Sequence, residues 1–259
     1  MRARGARVVL VLFAALTAGC TQEVVQAWRP PSPAPAAELG GPVVLGASGT
    51  NVPVLPAGTY VATALLPRLD VWRKPDVQAG KTFVFDPVNP VGQELSFLVT
   101  DAVRDGTGEA WLRILVPVRP NGASGWVQKS DVSIRRVREK IVVDLSDRLL
   151  VHSRNGRIVH RFSVGIGTAS TPTATGRFYV WAQVPQADPA GPYGVFALGL
   201  SGFSDVLLNW PGGGRMAIHG TADPFDRGQM VSHGCVRVYN PQMRQLERVP
   251  LGTPVMIRP

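Results

Sequence analysis

The chain has 259 residues, enough for one large domain or two modest ones, and 45% of them are hydrophobic, which excludes a chain that is disordered throughout. The formal net charge of +9 would suit nucleic acid, anionic lipid or an acidic polymer as a partner. Three arginines in the first 19 residues supply part of that charge, so +6 (9 − 3) remains, without an obvious basic block. Nucleic acid is therefore not an expected partner.

Residues 1–19 have the features of a signal peptide. Arg2, Arg4 and Arg7 form a basic start, and the apolar run over residues 8–16 is too short to span a bilayer comfortably. Small residues at positions 17–19 then provide a cleavage site. We expect this segment to be removed and the protein to be exported.

Cys20 follows the cleavage site directly, and residues 16–20 resemble the lipobox of bacterial lipoproteins, in which this cysteine is acylated. The resemblance implies a lipid anchor on Cys20 in the cell membrane, with the protein facing the cell wall. The alternative is an ordinary signal peptide followed by a chance cysteine. Lipidation of Cys20 would leave Cys235 as a lone thiol outside the cytoplasm, where idle thiols are prone to oxidation, so we expect Cys235 to be reactive.

Two segments precede the C-terminal part of the chain. Residues 20–49 are rich in Pro, Ala and Gly, and this composition predicts an extended tether. Residues 50–137 alternate short β-rich runs with turn residues, which predicts a small all-β module. Its closing run, Gly125-Trp126-Val127, resembles bacterial SH3-like domains of wall-associated proteins. We therefore expect an SH3-like β-barrel over residues 50–137.

Residues 138–259 continue the β pattern and form the second expected domain. Asn155-Gly156 predicts a hairpin, because both residues tolerate positive φ. Only residues 242–248 indicate a helix. The glycines at 165–167 and 212–214 lack the remaining residues of nucleotide-binding loops and predict turns. The expected fold class is mainly β.

Candidate catalytic residues lie in two apolar runs of this second domain. His219 lies in the first run and Cys235 in the second, sixteen positions later (235 − 219). The imidazole and the thiol could therefore lie in contact. An imidazole beside a thiol takes its proton for acyl transfer and later returns it to the leaving amine. Gly234 lets the backbone approach closely, and we expect the N–H of Cys235, helped by that of Gly234 or His233, to form an oxyanion hole.

Two other interpretations stay open at this point. His219, His233 and Cys235 could bind a metal ion together, although the motif has neither a Cys-x-x-Cys pair nor a carboxylate. The histidines could also do no more than satisfy hydrogen bonds in a core. Two histidines around a lone exported cysteine in a glycine-containing segment favour catalysis.

The motifs His219-Gly220-Thr221 and Ser232-His233-Gly234-Cys235-Val236-Arg237 resemble the signature of L,D-transpeptidases of the YkuD type. Residues 171–178 resemble the Thr-Pro-Thr-Gly-x-Phe element of that family, with an insertion at residues 174–175 that we expect not to affect the chemistry. The resemblance covers about residues 140–257. It implies a β-sandwich catalytic domain that acts on peptidoglycan stem peptides.

The resemblance also implies the residue roles. Cys235 would be the nucleophile and His219 the base and acid, oriented by the Gly220 carbonyl. Ser232, His233 and Gly234 would support the site, and Arg237 and Thr221 would bind substrate. The resemblance implies no metal ion and no organic cofactor. It also implies that carbapenems acylate the enzyme. A cross-link between diamino acids is the expected product; the alternatives are an L,D-carboxypeptidase that uses water, or a wall-binding lipoprotein without activity.

Overall fold

In the computed structural model, residues 54–259 are described, and they confirm a mainly β fold. The predicted signal peptide, Cys20, the tether and residues 50–53 lie outside the described residues. Within residues 54–259 the strands are β1 Thr59–Ala64, β2 Leu69–Trp72, β3 Lys81–Phe85, β4 Ser96–Arg104, β5 Ala110–Leu115, β6 Ser124–Gln128, β7 Val132–Val137, β8 Glu139–Asp144, β9 Leu149–Arg154, β10 Arg157–Ser163, β11 Ile166–Gly167, β12 Gly176–Pro185, β13 Phe196–Phe203, β14 Arg215–Thr221, β15 Met230–Ser232, β16 Val236–Tyr239 and β17 Pro254–Arg258.

The first seven strands form an antiparallel sheet in the order β3-β2-β6-β5-β4-β1-β7, which we call the N-terminal sheet. Its core is built from side chains that alternate along the strands, such as Phe97, Leu112 and Ile114, all fully buried. Successive side chains of a strand point to opposite faces of the sheet, so a strand with one buried face has apolar residues at alternate positions. The SH3-like barrel remains a prediction.

Eight further strands form the C-terminal sheet, in the order β10-β9-β8-β17-β12-β13-β14-β16. Most of its neighbours are antiparallel, but β8 pairs with β17 and β14 pairs with β16 in parallel. The short strands β11 and β15 make a separate parallel pair beside it. A large buried cluster, which includes Ile141, Leu198, Ile218 and Val236, packs against one face of this sheet.

Two local predictions can be compared with the structure. Asn155 and Gly156 have φ angles of 52° and 75° and connect β9 to β10, so the predicted hairpin is confirmed. The predicted helix over residues 242–248 is shorter and begins earlier: α1 spans Asn240–Met243, with proline in its first turn, and a 3₁₀ turn follows over Arg244–Leu246. No helix in residues 54–259 is long and apolar enough to cross a membrane.

The two sheets pack against each other through β4 and β12. Arg138 alone separates β7 from β8, and a third buried cluster joins Leu98 and Leu115 of the N-terminal sheet to Tyr179 of β12. Polar contacts flank this cluster, because Gln93 and Gln183 exchange two hydrogen bonds of 2.7 and 3.0 Å. The sheets therefore share a continuous interior.

We predict that Leu98→Ala lowers the free energy of unfolding by about 2–5 kcal/mol, because it opens a cavity in this shared cluster. Leu65→Ala is the matched control, since Leu65 directly follows β1 and is 63% exposed, and it should change stability by about 0.5 kcal/mol or less. Urea denaturation measures both. Equal effects of the two substitutions would contradict the shared interior.

Candidate active site

Parallel pairing of β14 with β16 places His219 and Cys235 on the same part of the sheet. Ile218 lies opposite Val236, and His219 lies opposite Arg237. Because side chains alternate along a strand, Ile218 and Val236 point into the core while His219 and Arg237 share the other face. Cys235 directly precedes β16, two positions before Arg237, so the same alternation would place its side chain on the face of Arg237. We infer that the thiol is diagonal to the imidazole across the two strands.

His219 is buried and held by one backbone contact. Its exposed fraction is 3%, and its Nδ1 donates a hydrogen bond of 2.8 Å to the Gly220 carbonyl. A carbonyl oxygen can only accept, so Nδ1 carries the proton and Nε2 holds the free lone pair. Burial lowers the pKa of His219 to about 4, which keeps the imidazole neutral at physiological pH.

A side chain at Gly220 would collide with its surroundings. A Cβ there would meet the Asn240 side chain and would lie 2.8 Å from the Val195 nitrogen. Asn240 Oδ1 accepts from Val195 N–H at 3.0 Å, and its Nδ2 donates to the Pro189 carbonyl at 2.8 Å. Only glycine fits at position 220, next to the Asn240 side chain. This position also supplies the carbonyl that orients His219.

Cys235 is a half-buried free thiol. Burial raises its pKa above the ordinary range, while the Ala217 backbone N–H and the Arg237 charge lower it to a smaller extent. With His219 neutral, the resting pair is therefore a thiol and an imidazole and not a thiolate–imidazolium ion pair.

The loop that carries the thiol is closed by Ser232. Ser232 Oγ donates to the Cys235 carbonyl at 2.5 Å and accepts from Gly234 N–H at 3.1 Å. Gly234 has a φ of 110°, a conformation that other residues rarely adopt. Since the Gly234 N–H is already engaged, His233 is favoured over Gly234 as the donor that assists Cys235, and the oxyanion hole itself stays a prediction. The candidates that remain are the N–H groups of Cys235 and His233.

The turn over residues 171–178 contacts this loop directly. Thr171 Oγ1 donates to the Ser232 carbonyl at 3.1 Å, and the same carbonyl accepts from Thr168 N–H at 3.0 Å. A Cβ on Gly234 would lie 3.3 Å from the Pro172 oxygen. Thr171 and Pro172 therefore contact the loop that carries Cys235, whereas the insertion at residues 174–175 lies further along the turn, and its lack of effect on the chemistry stays a prediction.

Arg237 and Thr221 are joined by Asp226, a residue that the sequence analysis missed. Arg237 Nη1 lies 3.2 Å from Asp226 Oδ2, and Thr221 Oγ1 donates to the same oxygen at 2.7 Å. Because Thr221 is buried and its hydroxyl proton is used, direct contact with substrate is not supported for it. Arg237 stays partly exposed, with its Nε unpaired among the described residues.

The two histidines occupy different environments. His233 is exposed and stacks on Trp210, with ring centroids 5.2 Å apart, whereas His219 meets the edge of the Tyr193 ring at 5.1 Å. Neither Trp210 nor Tyr193 has a sequence signal, because each contacts its histidine only through the tertiary fold. In residues 54–259, no three His, Cys, Asp or Glu side chains are grouped so that they could hold a metal ion.

Residues 138–257 match the YkuD family model, described as an L,D-transpeptidase catalytic domain. A Bacillus subtilis protein named as the L,D-transpeptidase YkuD is 34% identical over 118 residues, which are 45% of this chain and 64% of that protein. The protein of the same name from Bacillus licheniformis is 33% identical over 121 residues, 46% of this chain and 66% of that protein. The chain thus spans just under two thirds of the length of these relatives.

A solved structure is also similar. It is the catalytic domain of the Enterococcus faecium L,D-transpeptidase acylated by ertapenem, 22% identical, with 48% of this chain and 99% of that chain covered. The TM-score is 0.36, which is too low to support a correspondence between individual residues. The N-terminal sheet lies outside the region that the family model matches.

Alkylation by iodoacetamide tests the electrostatics of Cys235. We predict that the rate continues to rise with pH beyond the range of an ordinary cysteine, because burial raises the thiol pKa. Arg237→Ala should move this curve to still higher pH, since it removes a positive charge that favours the thiolate. Arg227→Ala is the matched control, because Arg227 is exposed and contacts the Tyr239 ring. Identical pH curves for the two variants would contradict an effect of the Arg237 charge on the Cys235 thiol.

Proposed function

We propose that residues 138–257, which match the model of the YkuD family, are an L,D-transpeptidase catalytic domain in which Cys235 is the nucleophile and His219 its general base. One observation carries the proposal: the Nδ1 bond to the Gly220 carbonyl leaves Nε2 of a neutral imidazole as the acceptor, on the sheet face that also carries Cys235. A general base has to be unprotonated before it acts.

The proposed first step forms a thioester. His219 Nε2 takes the thiol proton as Cys235 Sγ attacks the amide carbon between the L-centre of a diamino acid and the terminal D-alanine of a stem peptide. The C–N bond then breaks, His219 returns the proton to the leaving nitrogen, and D-alanine departs. Because both groups rest uncharged, proton transfer accompanies attack and does not precede it.

The developing negative charge on the amide oxygen requires hydrogen-bond donors. The N–H groups of Cys235 and His233 are the proposed donors, since Ser232 already accepts the N–H of Gly234. Each donor of this kind contributes about a hundredfold or more to the rate. The Ser232 bonds keep the loop in the conformation that would present these groups.

The proposed second step resolves the thioester. The side-chain amine of a diamino acid from a neighbouring stem attacks the thioester carbon, His219 takes a proton from the amine, and the C–S bond breaks. The proton returns to sulfur, which restores the thiol, and the new amide is a cross-link between two diamino acids. These steps balance without a metal ion or an organic cofactor.

We also propose that the protein works outside the cytoplasm, anchored to the cell membrane by a lipid on Cys20. The support is in the sequence alone: the basic and apolar start, the lipobox-like residues 16–20 and the proline-rich segment up to residue 49. A tether of this composition would hold the catalytic domain away from the membrane and towards peptidoglycan.

Mass spectrometry after incubation with a carbapenem tests the nucleophile and the base. We predict one covalent adduct, on Cys235. His219→Ala should slow its formation about a hundredfold or more, because the thiol loses its proton acceptor. His160→Ala is the matched control, since the His160 ring packs on His152 and Phe162, away from Cys235. An unmodified Cys235 would refute the proposal, and full reactivity of the His219 variant would reassign the base to His233.

The same assay also has an expected pH dependence. His219 acts when it is unprotonated, so the acylation rate should stay level as the pH falls towards 5 and decline below about 4, the pKa of the buried imidazole. A decline centred near pH 6.5, the ordinary histidine value, would show that the base is solvated and would contradict the buried geometry.

Purified tetrapeptide stems test the acceptor. We predict dimers joined between two diamino acids, together with released D-alanine, and chromatography with mass spectrometry of the products measures both. Cys235→Ala supplies the control without turnover. Tripeptide product without dimers would instead identify an L,D-carboxypeptidase, in which water resolves the thioester.

A further inference from the structure

The loop of residues 204–214, between β13 and β14, is closed at its base. Ser204 N–H donates to the Gly214 carbonyl at 2.7 Å, and Ser204 Oγ accepts from two N–H groups of the loop at 3.3 and 3.2 Å. Its last three residues are glycines with φ angles of 74°, 69° and 71°. Because other residues rarely take this conformation, the three-glycine run has a structural purpose here that is separate from nucleotide binding.

The far end of this loop meets the segment that carries Cys235. Trp210 is 45% exposed, and its ring stacks on His233 with an interplanar angle of 24°. His233 is itself exposed and precedes Cys235 by two residues. Trp210 and His233 therefore form a stacked, solvent-accessible aromatic pair beside the segment that carries Cys235.

Arg119, from the N-terminal sheet, binds the base of the same loop. It lies in the connection between β5 and β6, and its Nη1 and Nη2 donate to the carbonyls of Ser204 and Gly213 at 2.8 and 3.0 Å. The N–H of Gly213 donates in turn to the Trp210 carbonyl at 2.9 Å. Two hydrogen bonds thus lead from Arg119 to Trp210 through a single residue, Gly213.

Further contacts make this attachment rigid. Asn121 exchanges two hydrogen bonds with the backbone of Phe203, at 2.7 and 2.9 Å. Two guanidinium groups contact the Phe203 ring, with Arg119 at 4.9 Å and Arg215 at 4.3 Å from its centroid. Arg215 also donates to the Pro117 carbonyl at 3.2 Å. The connection between β5 and β6 therefore forms hydrogen bonds with both ends of the loop of residues 204–214.

We propose that Arg119 is a positioning residue for substrate binding: it holds the loop of residues 204–214 so that Trp210 and His233 form a surface that binds the planar amide groups of a stem peptide. A planar guanidinium with several fixed donors can hold two carbonyls at once, and an ammonium cannot match that geometry. Exposed aromatic rings offer a large contact area at a small cost in conformational entropy. The choice of ligand rests on the proposed function, whereas the link from Arg119 to Trp210 does not.

Steady-state kinetics on stem peptides test the proposal. We expect Arg119→Ala to raise KM about tenfold, the typical effect of losing hydrogen bonds from a charged group, with kcat little changed. Arg135→Ala is the matched control: Arg135 also joins the two sheets, through a 2.8 Å hydrogen bond to the Leu251 carbonyl, but it does not contact the loop. Kinetic constants of Arg119→Ala equal to those of Arg135→Ala would overturn the proposal.

A double-mutant cycle separates positioning from a general loss of stability. Trp210→Ala alone should raise KM to a similar extent, and Arg119→Ala should add little once Trp210 is absent. Because Trp210 is a surface residue, this variant tests the binding surface even if Arg119→Ala fails to fold. An unchanged KM for Trp210→Ala, or effects that multiply in the double variant, would overturn the proposal.

Proton NMR of the histidine ring measures the link without any activity. The chain has four histidines, so the His233 signal can be assigned by substitution, and the stacked indole should shift it upfield. We expect Arg119→Ala to move this signal towards its position in Trp210→Ala, and Arg135→Ala to leave it in place. A His233 signal unaffected by Arg119→Ala would refute the link between Arg119 and Trp210.

Failure of the proposed function can be distinguished from failure of this link. If a carbapenem does not acylate Cys235 in the wild-type protein, the proposed function fails, while the NMR measurement still tests the link between Arg119 and Trp210.

Discussion

The parallel pairing of β14 with β16 is the contact on which the rest of the site depends. It brings two segments that are sixteen residues apart (235 − 219) side by side, and its register puts His219 and the thiol on one face. The other face of the same strands is buried through Ile218, Val236 and Val238. A slip of one residue would reverse both faces, so burial of the core side chains also fixes which side His219 and Cys235, the proposed catalytic pair, occupy.

Burial then determines the charge state of the pair. An ion pair of thiolate and imidazolium would have to be removed from water, and burial lowers the pKa of His219 while it raises the pKa of Cys235. Arg237 favours the thiolate, but Asp226 partly offsets its charge through their ion pair. Two uncharged groups at rest agree with the proposed mechanism, in which proton transfer to His219 accompanies attack by Cys235.

Packing against the N-terminal sheet connects this site to the rest of the chain. The shared cluster of Leu98, Leu115 and Tyr179 provides the apolar part of the contact, and Arg119 and Asn121 provide polar contacts at the loop beside Cys235. The polar contacts end mainly on backbone carbonyls, which have a fixed position once the sheet has formed. An interface of this kind can transmit the position of one sheet to a loop of the other.

The sequence by itself determined the mainly β class and the Asn155-Gly156 hairpin, and it indicated the resemblance of the C-terminal domain to the YkuD family, because alternation, turn residues and a short motif are local properties of the chain. The motifs also predicted Cys235, His219 and Gly220 as members of the candidate site. Only the tertiary structure decided that Ser232 engages the Gly234 N–H, that Asp226 joins Thr221 to Arg237, and that Trp210 stacks on His233. Contacts of this kind depend on the angle and register at which distant segments pack, and no local pattern specifies them.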